Sequence, residues 1–253
     1  MTAAAPRWIE LPVRAGRFAL DAVLPQRCLS CDRRVAPEGG LCAQCWQEIR
    51  FFEKPWCYRL GTPFSYDVGE EAWSPQAIAS PPVFGRLRSV APYEGPARDL
   101  VHALKFHGRR NLARPMGSWM ARQGSEFLGP DSLIVPVPLH WLRLLSRRFN
   151  QSADLARAIA EECGGHYEPA LLKRRKRTRQ QVGLSAEARR KNVRAAFGLD
   201  EARPGDVRER KVVLVDDVVT TGSTVAACSR VLLNAGAASV DVLAFAYARP
   251  SDG

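Results

Sequence analysis

The spacing of apolar residues changes character partway along the chain. From Trp8 to Leu24 the apolar positions Ile9, Leu11, Val13, Phe18, Leu20, Val23 and Leu24 suggest a short helix around Arg14 to Val23. A cysteine-rich stretch follows. Residues 63–82 are rich in Pro, Gly and Ser with no sustained period, which places a domain boundary there. From Val83 onward strands alternate with helices, the arrangement that builds a mainly parallel sheet covered on both faces. Ser89 to Tyr93 and Leu133 to Val137 read as strands. Pro96 starts a helix with Leu100, Val101 and Leu104 on one face. A second helix spans Leu112 to Gln123, and a third runs from Asn150 to Cys163 with Leu155, Ile159 and Cys163 inward. The last unit is the sharpest: strand Val212 to Val215, a turn, helix Ser223 to Asn234 ended by Gly236, and strand Val240 to Tyr247. No internal repeat is evident. The expected organisation is an N-terminal helix in residues 1–24, a cysteine module in 25–62, a linker in 63–82 and an α/β domain in 83–253.

Composition narrows the class. A chain of 253 residues with 46% hydrophobic residues can build one ample core plus a small accessory module. No stretch approaches the run of uncharged apolar residues that a membrane helix needs, and Arg7, Glu10, Arg14, Arg17 and Asp21 interrupt the N-terminal segment. The expectation is a cytoplasmic protein without a secretory signal or membrane anchor. A net charge of +11 favours anionic partners, because clustered Lys and Arg attract phosphates and release counterions on binding nucleic acid.

Five of the seven cysteines fall between Cys28 and Cys57. Cys28-x-x-Cys31, ten residues, then Cys42-x-x-Cys45 is a zinc-ribbon pattern, in which each pair presents two thiolates from a tight turn and the two turns complete a tetrahedron. One structural zinc is expected, with no open position for a catalytic water. Two redox-active Cys-x-x-Cys pairs are the competing reading, disfavoured because a thioredoxin-like context is absent. Cys57, Cys163 and Cys228 read as buried thiols.

The strongest chemistry lies at Val-Val-Leu-Val-Asp-Asp-Val-Val-Thr-Thr-Gly-Ser-Thr, residues 212–224. Two carboxylates end an apolar strand, and a hydroxyl-rich turn opens a helix. Ligands sit at that end of an open α/β sheet. Backbone N–H groups at the helix start, with the hydroxyls of Thr220, Thr221, Ser223 and Thr224 and the small Gly222, suit a 5'-phosphate. Asp216 and Asp217 would repel that phosphate, so their natural partners are a ribose cis-diol and a magnesium ion shared with a pyrophosphate. The pattern lacks the Gly-x-Gly-x-x-Gly of a dinucleotide fold and the Gly-Lys-Ser/Thr of a nucleoside triphosphatase loop.

This stretch resembles the fingerprint of the type I phosphoribosyltransferases: a hydrophobic strand, two acids and a Thr-Thr-Gly-x-Thr turn. In that family the Asp pair contacts the ribose of phosphoribosyl pyrophosphate and the turn holds its 5'-phosphate. Further stretches narrow the likeness to the ComF competence-protein family: Val-Pro-Val-Pro-Leu-His at Val135 to His140, Arg147-Arg148-Phe149-Asn150-Gln151, Leu104-Lys105-Phe106, and the spacing of Thr178, Gln181, Gly183, Leu184, Arg189 and Asn192. Arg148 stands where that family commonly has Gly. Its relatives often continue with a second ribbon pair, whereas here Cys57 is followed by Leu60 at the position of the second cysteine.

The resemblance implies a type I phosphoribosyltransferase fold, mainly parallel sheet flanked by helices, behind an N-terminal zinc ribbon. It also implies a role in natural transformation, with single-stranded DNA and a DNA-uptake helicase as partners. A leaving pyrophosphate, or a nucleic-acid backbone, calls for cations such as Lys105, Arg143, Arg147 and Arg189. The dense basic run from Lys173 to Arg179 repels itself unless an anion is present, and without interleaved aromatics it gives no platform for base stacking. Two readings of function follow. One is a magnesium-dependent phosphoribosyltransferase, including a nucleotide-salvage enzyme with no DNA role. The other is a phosphoribosyl-binding protein that acts in DNA uptake.

Overall fold

The computed structural model describes residues 27–35, 41–106, 108–139, 149–174, 196–200 and 207–248. The helix expected within residues 1–24, together with Arg143, Arg147, Arg189 and all of the basic run beyond Arg174, lies outside them. In chain order the described elements are α1 (Ala43–Glu48), α2 (Pro75–Ala79), β1 (Leu87–Pro92), α3 (Gly95–Phe106), α4 (Ala113–Gln123), β2 (Leu133–Pro136), α5 (Gln151–Cys163), β3 (His166–Tyr167), β4 (Leu172–Arg174), β5 (Phe197–Leu199), β6 (Lys211–Val219), α6 (Ser223–Asn234) and β7 (Ser239–Tyr247).

Five strands form one parallel sheet in the order β1-β7-β6-β2-β3. β6 and β7 lie in the middle, and both are apolar over most of their length because both faces are covered. The alternation along β6 divides the core in two. Val213 and Val215 join Leu243 and Phe245 under α3, α4 and α5, whose Leu100, Leu104, Met116, Met120, Leu155 and Ile159 are fully buried. Val212 and Leu214 join Val242 and Ala244 on the other face, beneath Val225, Cys228 and Leu232 of α6. Each such side chain taken from water contributes about 1.5–3 kcal/mol, so these two layers carry most of the stabilisation.

The helix caps follow the sequence signals. The Asn150 side chain accepts from the Ser152 amide at 3.1 Å and donates to the Val137 carbonyl at 3.1 Å, which fixes the start of α5 beside the end of β2. Of the inward positions expected on that helix, Leu155 and Ile159 are fully buried and Cys163 is half-buried. The strand expected to end at Val215 continues to Val219, because β7 runs alongside and pairs with it as far as Tyr247.

β4 and β5 form a separate antiparallel pair. Lys173 and Arg174, the first two residues of the basic run, belong to it: Lys173 Nζ lies 2.7 Å from Asp200 Oδ1, and the Arg174 guanidinium lies over the Phe197 ring. Among the described residues no helix is long and apolar enough to cross a membrane.

Candidate functional site

β6 outlasts its neighbour on one side. Its pairing with β2 ends at Val215 opposite Pro136, whereas its pairing with β7 continues past Asp216. Asp216 and Asp217 therefore stand where β6 has lost one flanking strand, at the carboxyl end of a parallel sheet. That is the place where such sheets open a crevice. Because successive side chains alternate, the two acids point to opposite faces.

Asp217 follows Val213 and Val215 toward the α3 side and is 4% exposed. Lys105, near the end of α3, places Nζ 2.9 Å from Asp217 Oδ1. The other oxygen, Oδ2, is buried, and none of the described residues hydrogen-bonds it. Asp216 Oδ1 accepts from Ser152 Oγ at 3.0 Å and from the Asp217 amide at 3.0 Å. Burial, and then the charge of Asp217, push the Asp216 carboxyl up to about 7, against the downward pull of Ser152, the Asp217 amide and Lys105. The pair thus presents less negative charge than two free carboxylates would.

The strand then runs into the turn. Thr220 and Thr221 are exposed, and Gly222, Ser223 and Thr224 are half-buried. Thr221 Oγ1 and Ser223 Oγ are 2.8 Å apart. Gly222 is the N-cap of α6 with φ of 72°, a left-handed conformation that favours glycine, and it brings no side chain to cap the helix. The Ser223 amide donates to Thr221 Oγ1 at 3.4 Å, and the partial positive charge of this twelve-residue helix is directed toward the hydroxyl-rich turn. The turn that opens α6 thus follows directly on the acid pair at the end of β6, and Asp217 carries an acceptor that no described group meets. The first suits a phosphate, and the second suits hydroxyl donors or a hard cation.

Of the residues expected at this site, Asp216, Asp217, Lys105 and the 220–224 turn meet here. One contributor had no assigned role in the sequence. Ser152 supports Asp216 from the first turn of α5. The signal available was the polar start of a helix whose remaining inward face is apolar.

The second site is the cysteine cluster. The thiol sulfurs of Cys28, Cys31, Cys42 and Cys45 all lie within 4.8 Å of one another, with Cys31 and Cys42 3.6 Å apart. A tetrahedral zinc with Zn–S of about 2.3 Å spaces its sulfurs by about 3.8 Å, so this group could hold a metal ion through four thiolates. Cys42 is the N-cap of α1, and its sulfur accepts from the Cys45 amide. Burial raises the Cys28 thiol, but the backbone amides of Cys31, Cys42 and Ser30 outweigh it and bring it down to about 6. Burial, with the neighbouring Cys31 and Cys42, pushes Cys45 up to about 12. Four thiolates cannot coexist here without a cation to balance them. The module docks on the sheet domain through Arg109 and Asp32, 2.6 Å apart, and Ser30 Oγ with Asp99 Oδ2 at 3.4 Å.

A parallel α/β sheet with helices on both faces, behind a four-cysteine module, defines the chain as a phosphoribosyltransferase-like protein with an N-terminal metal-binding ribbon. Family models agree: a double zinc ribbon domain matches residues 19–77, and a phosphoribosyl transferase domain matches residues 139–252. The chain belongs to the ComF/ComFC-like family. It is 34% identical over 226 residues to the DNA utilization protein YhgH of Escherichia coli strain K12, covering 87% of this chain and 96% of that one. It is 30% identical over 229 residues to Competence protein F of Haemophilus influenzae, covering 88% and 97%. To Competence protein ComFC of Streptococcus pneumoniae it is 26% identical over 153 residues, covering 60% and 64%.

Proposed function

We propose that the crevice at the carboxyl end of β6 binds a phosphoribosyl group, and that the protein acts in the uptake or use of single-stranded DNA. The ligand is phosphoribosyl pyrophosphate with magnesium, or a 5'-phosphorylated DNA end. The observation that carries this reading is the junction of Asp216 and Asp217 with the hydroxyl-rich turn that opens α6 at Gly222. The 5'-phosphate rests on the amides and hydroxyls of residues 220–224. Asp216 and Asp217 accept from the ribose hydroxyls, which gives Asp217 Oδ2 the donor it lacks. The names of the relatives, one for DNA utilization and two for competence, support the DNA setting.

Carboxylate oxygens are the donors that magnesium prefers, and Asp216 and Asp217 are the residues that would hold it. When bound, it would neutralise charge on a pyrophosphate. In a transfer reaction the bond from the anomeric carbon to pyrophosphate breaks, the leaving group keeps the electron pair, and a nitrogen nucleophile forms the new bond. This chain's own contribution is to orient the sugar and stabilise charge. Lys105 is the described cation at the acid pair, and Arg143, Arg147 and Arg189 are the further cations proposed for pyrophosphate or DNA.

Calorimetric titration of phosphoribosyl pyrophosphate with magnesium into wild type and into Asp216→Ala/Asp217→Ala protein tests the reading, with thermal melts as the check on folding. Binding to wild type and its loss in a folded double variant is expected. Failure of the wild type to bind either this ligand or 5'-phosphorylated oligonucleotide overturns it. Turnover with a nucleobase and no salt-dependent DNA binding would instead favour the salvage enzyme.

A further inference from the structure

Residues 56–79 repeat the architecture of the cysteine module. In the first copy the Cys28 amide donates to Arg33 O at 2.6 Å, the Asp32 amide donates to Cys28 O at 3.1 Å, and Arg27 forms an antiparallel bridge with Arg34. In the second, the Cys57 amide donates to Thr62 O at 2.8 Å, the Gly61 amide donates to Cys57 O at 2.7 Å, and Trp56 bridges Pro63. The residue four past each cysteine is left-handed, Asp32 with φ of 60° and Gly61 with φ of 62°.

The helical halves correspond as well. Cys42 caps α1 with φ, ψ of −70°, 158°, and Ser74 caps α2 with −68°, 155°. The Cys42 amide donates to Cys28 Sγ at 3.2 Å, and the Ser74 amide donates to Cys57 Sγ at 3.1 Å. The side chain of each cap accepts from the amide three residues on, that of Cys45 or of Ala77. The positions of Cys28, Cys31, Cys42 and Cys45 are therefore taken in the second copy by Cys57, Leu60, Ser74 and Ala77.

From this correspondence we infer that the second ribbon is a metal-free copy, and that the chain binds one zinc although its family model describes a double zinc ribbon. Leu60 and Ala77 have no donor atom, and one thiolate with one hydroxyl falls short of the four protein ligands of a structural site or the three of a catalytic one. Other contacts take over the role of the metal. Leu60 packs into the core beneath the sheet. The Tyr58 amide donates to Ala72 O at 2.8 Å and so ties the two halves of the copy together. The Arg59 guanidinium reaches the carbonyls of Pro82 and Phe84, and its own carbonyl accepts from the Leu87 amide of β1 at 2.8 Å. Gly61 approaches β1 so closely that a Cβ would lie 2.5 Å from Leu87 O. The lone thiol at Cys57, fully buried, serves as an acceptor for the amides of Leu60 and Ser74.

Metal content of the purified full-length protein, measured by mass spectrometry of the elements, tests this. One zinc per chain is expected for wild type and for Cys57→Ser, and none for Cys28→Ser/Cys45→Ser. Restoring ligands with Leu60→Cys/Ser74→Cys/Ala77→Cys should raise the count to two, because the backbone that presents them is already in place. Two zinc ions in wild type, or loss of an equivalent in Cys57→Ser, overturns the inference. A folded triple variant that takes up no second equivalent overturns the correspondence of positions. Should that variant not fold, the counts for wild type and Cys57→Ser decide.

Discussion

Lys105 Nζ lies 2.9 Å from Asp217 Oδ1, so the free site already holds a cation against one of its two acids. The ammonium comes from the last turn of α3 and the carboxylate from β6. Asp217 is nearly buried, and removing its partner leaves a charge with little water to screen it. Lys105→Met is expected to cost about 3 kcal/mol in urea denaturation, since breaking a mostly buried pair is expensive even where the intact pair contributes little. Adding Asp217→Asn should recover part of that loss. A double-mutant cycle with no coupling would show that the pair does not form.

Stability should depend on pH through Asp216. Its carboxyl titrates near 7 in the folded protein, above the ordinary carboxylate range, so the folded state holds a proton that the unfolded chain has released. The contribution is fully present below about pH 4 and is lost as pH rises through 7. Denaturation series in metal-free buffer should therefore show this component falling between pH 4 and 7, and Asp216→Asn should remove it.

Ser152→Ala takes away the hydroxyl that stabilises the ionised form of Asp216. The Asp216 titration, followed by carbon NMR of its carboxyl, should then move to still higher pH. Because Ser152 is 1% exposed, the loss of one charge-assisted hydrogen bond should also cost about 1.5–3 kcal/mol. An unchanged titration would mean that the hydroxyl does not serve the acid.

Gly222→Ala separates conformation from crowding. The added Cβ meets nothing closer than Val225 Cγ2 at 4.0 Å, so the cost is that of a left-handed backbone, about 1–2 kcal/mol. If the amides after Gly222 hold a phosphate, affinity for phosphoribosyl pyrophosphate should fall at least as far as stability does. Calorimetry beside a thermal melt reads both.

Zinc binding should release protons. At pH 7.5 the Cys45 thiol, pushed up to about 12, is protonated, and Cys28, brought down to about 6, is mostly thiolate. Adding zinc to the metal-free protein in weak buffer should liberate at least one proton per chain. Zinc affinity should fall more steeply as pH drops below about 6, where Cys28 of the metal-free protein also gains its proton. A pH indicator and a zinc-sensitive dye measure the two effects.

The parts legible in the sequence were those written as long periodic runs. Leu100, Val101 and Leu104 marked α3, Leu155 and Ile159 marked α5, and the largely apolar runs of β6 and β7, alternating with helices, marked a sheet covered on both faces. β3, β4 and β5 have only two or three residues each, too few to show a period. The same holds for α1 and α2. β6 was cut short at Val215 because a charged pair reads as the end of a strand, although backbone hydrogen bonding to β7 does not depend on the side chain. The partners of the two acids, Lys105 and Ser152, come from helices more than 60 residues away in sequence, so only the fold brings them together. The repeat of the ribbon showed in the sequence only through the resemblance at Cys57 and Leu60, for a related reason. It is carried by backbone hydrogen bonds and one left-handed residue in each copy, and a single cysteine survives to mark it.

Among the described residues β1 is the outermost strand of the sheet on its side, with β7 as its one strand partner. On its other flank the Leu87 amide meets Arg59 O, and the Phe52 amide meets Val90 O at 2.8 Å. The polar row that an outer strand would offer to a foreign chain is thus partly occupied by this chain's own earlier residues. Cutting the protein at the apparent boundary near Val83 would uncover that row and invite sheet-to-sheet aggregation. The residues ahead of Val83 therefore cover an otherwise open flank of β1 as well as presenting the four cysteines.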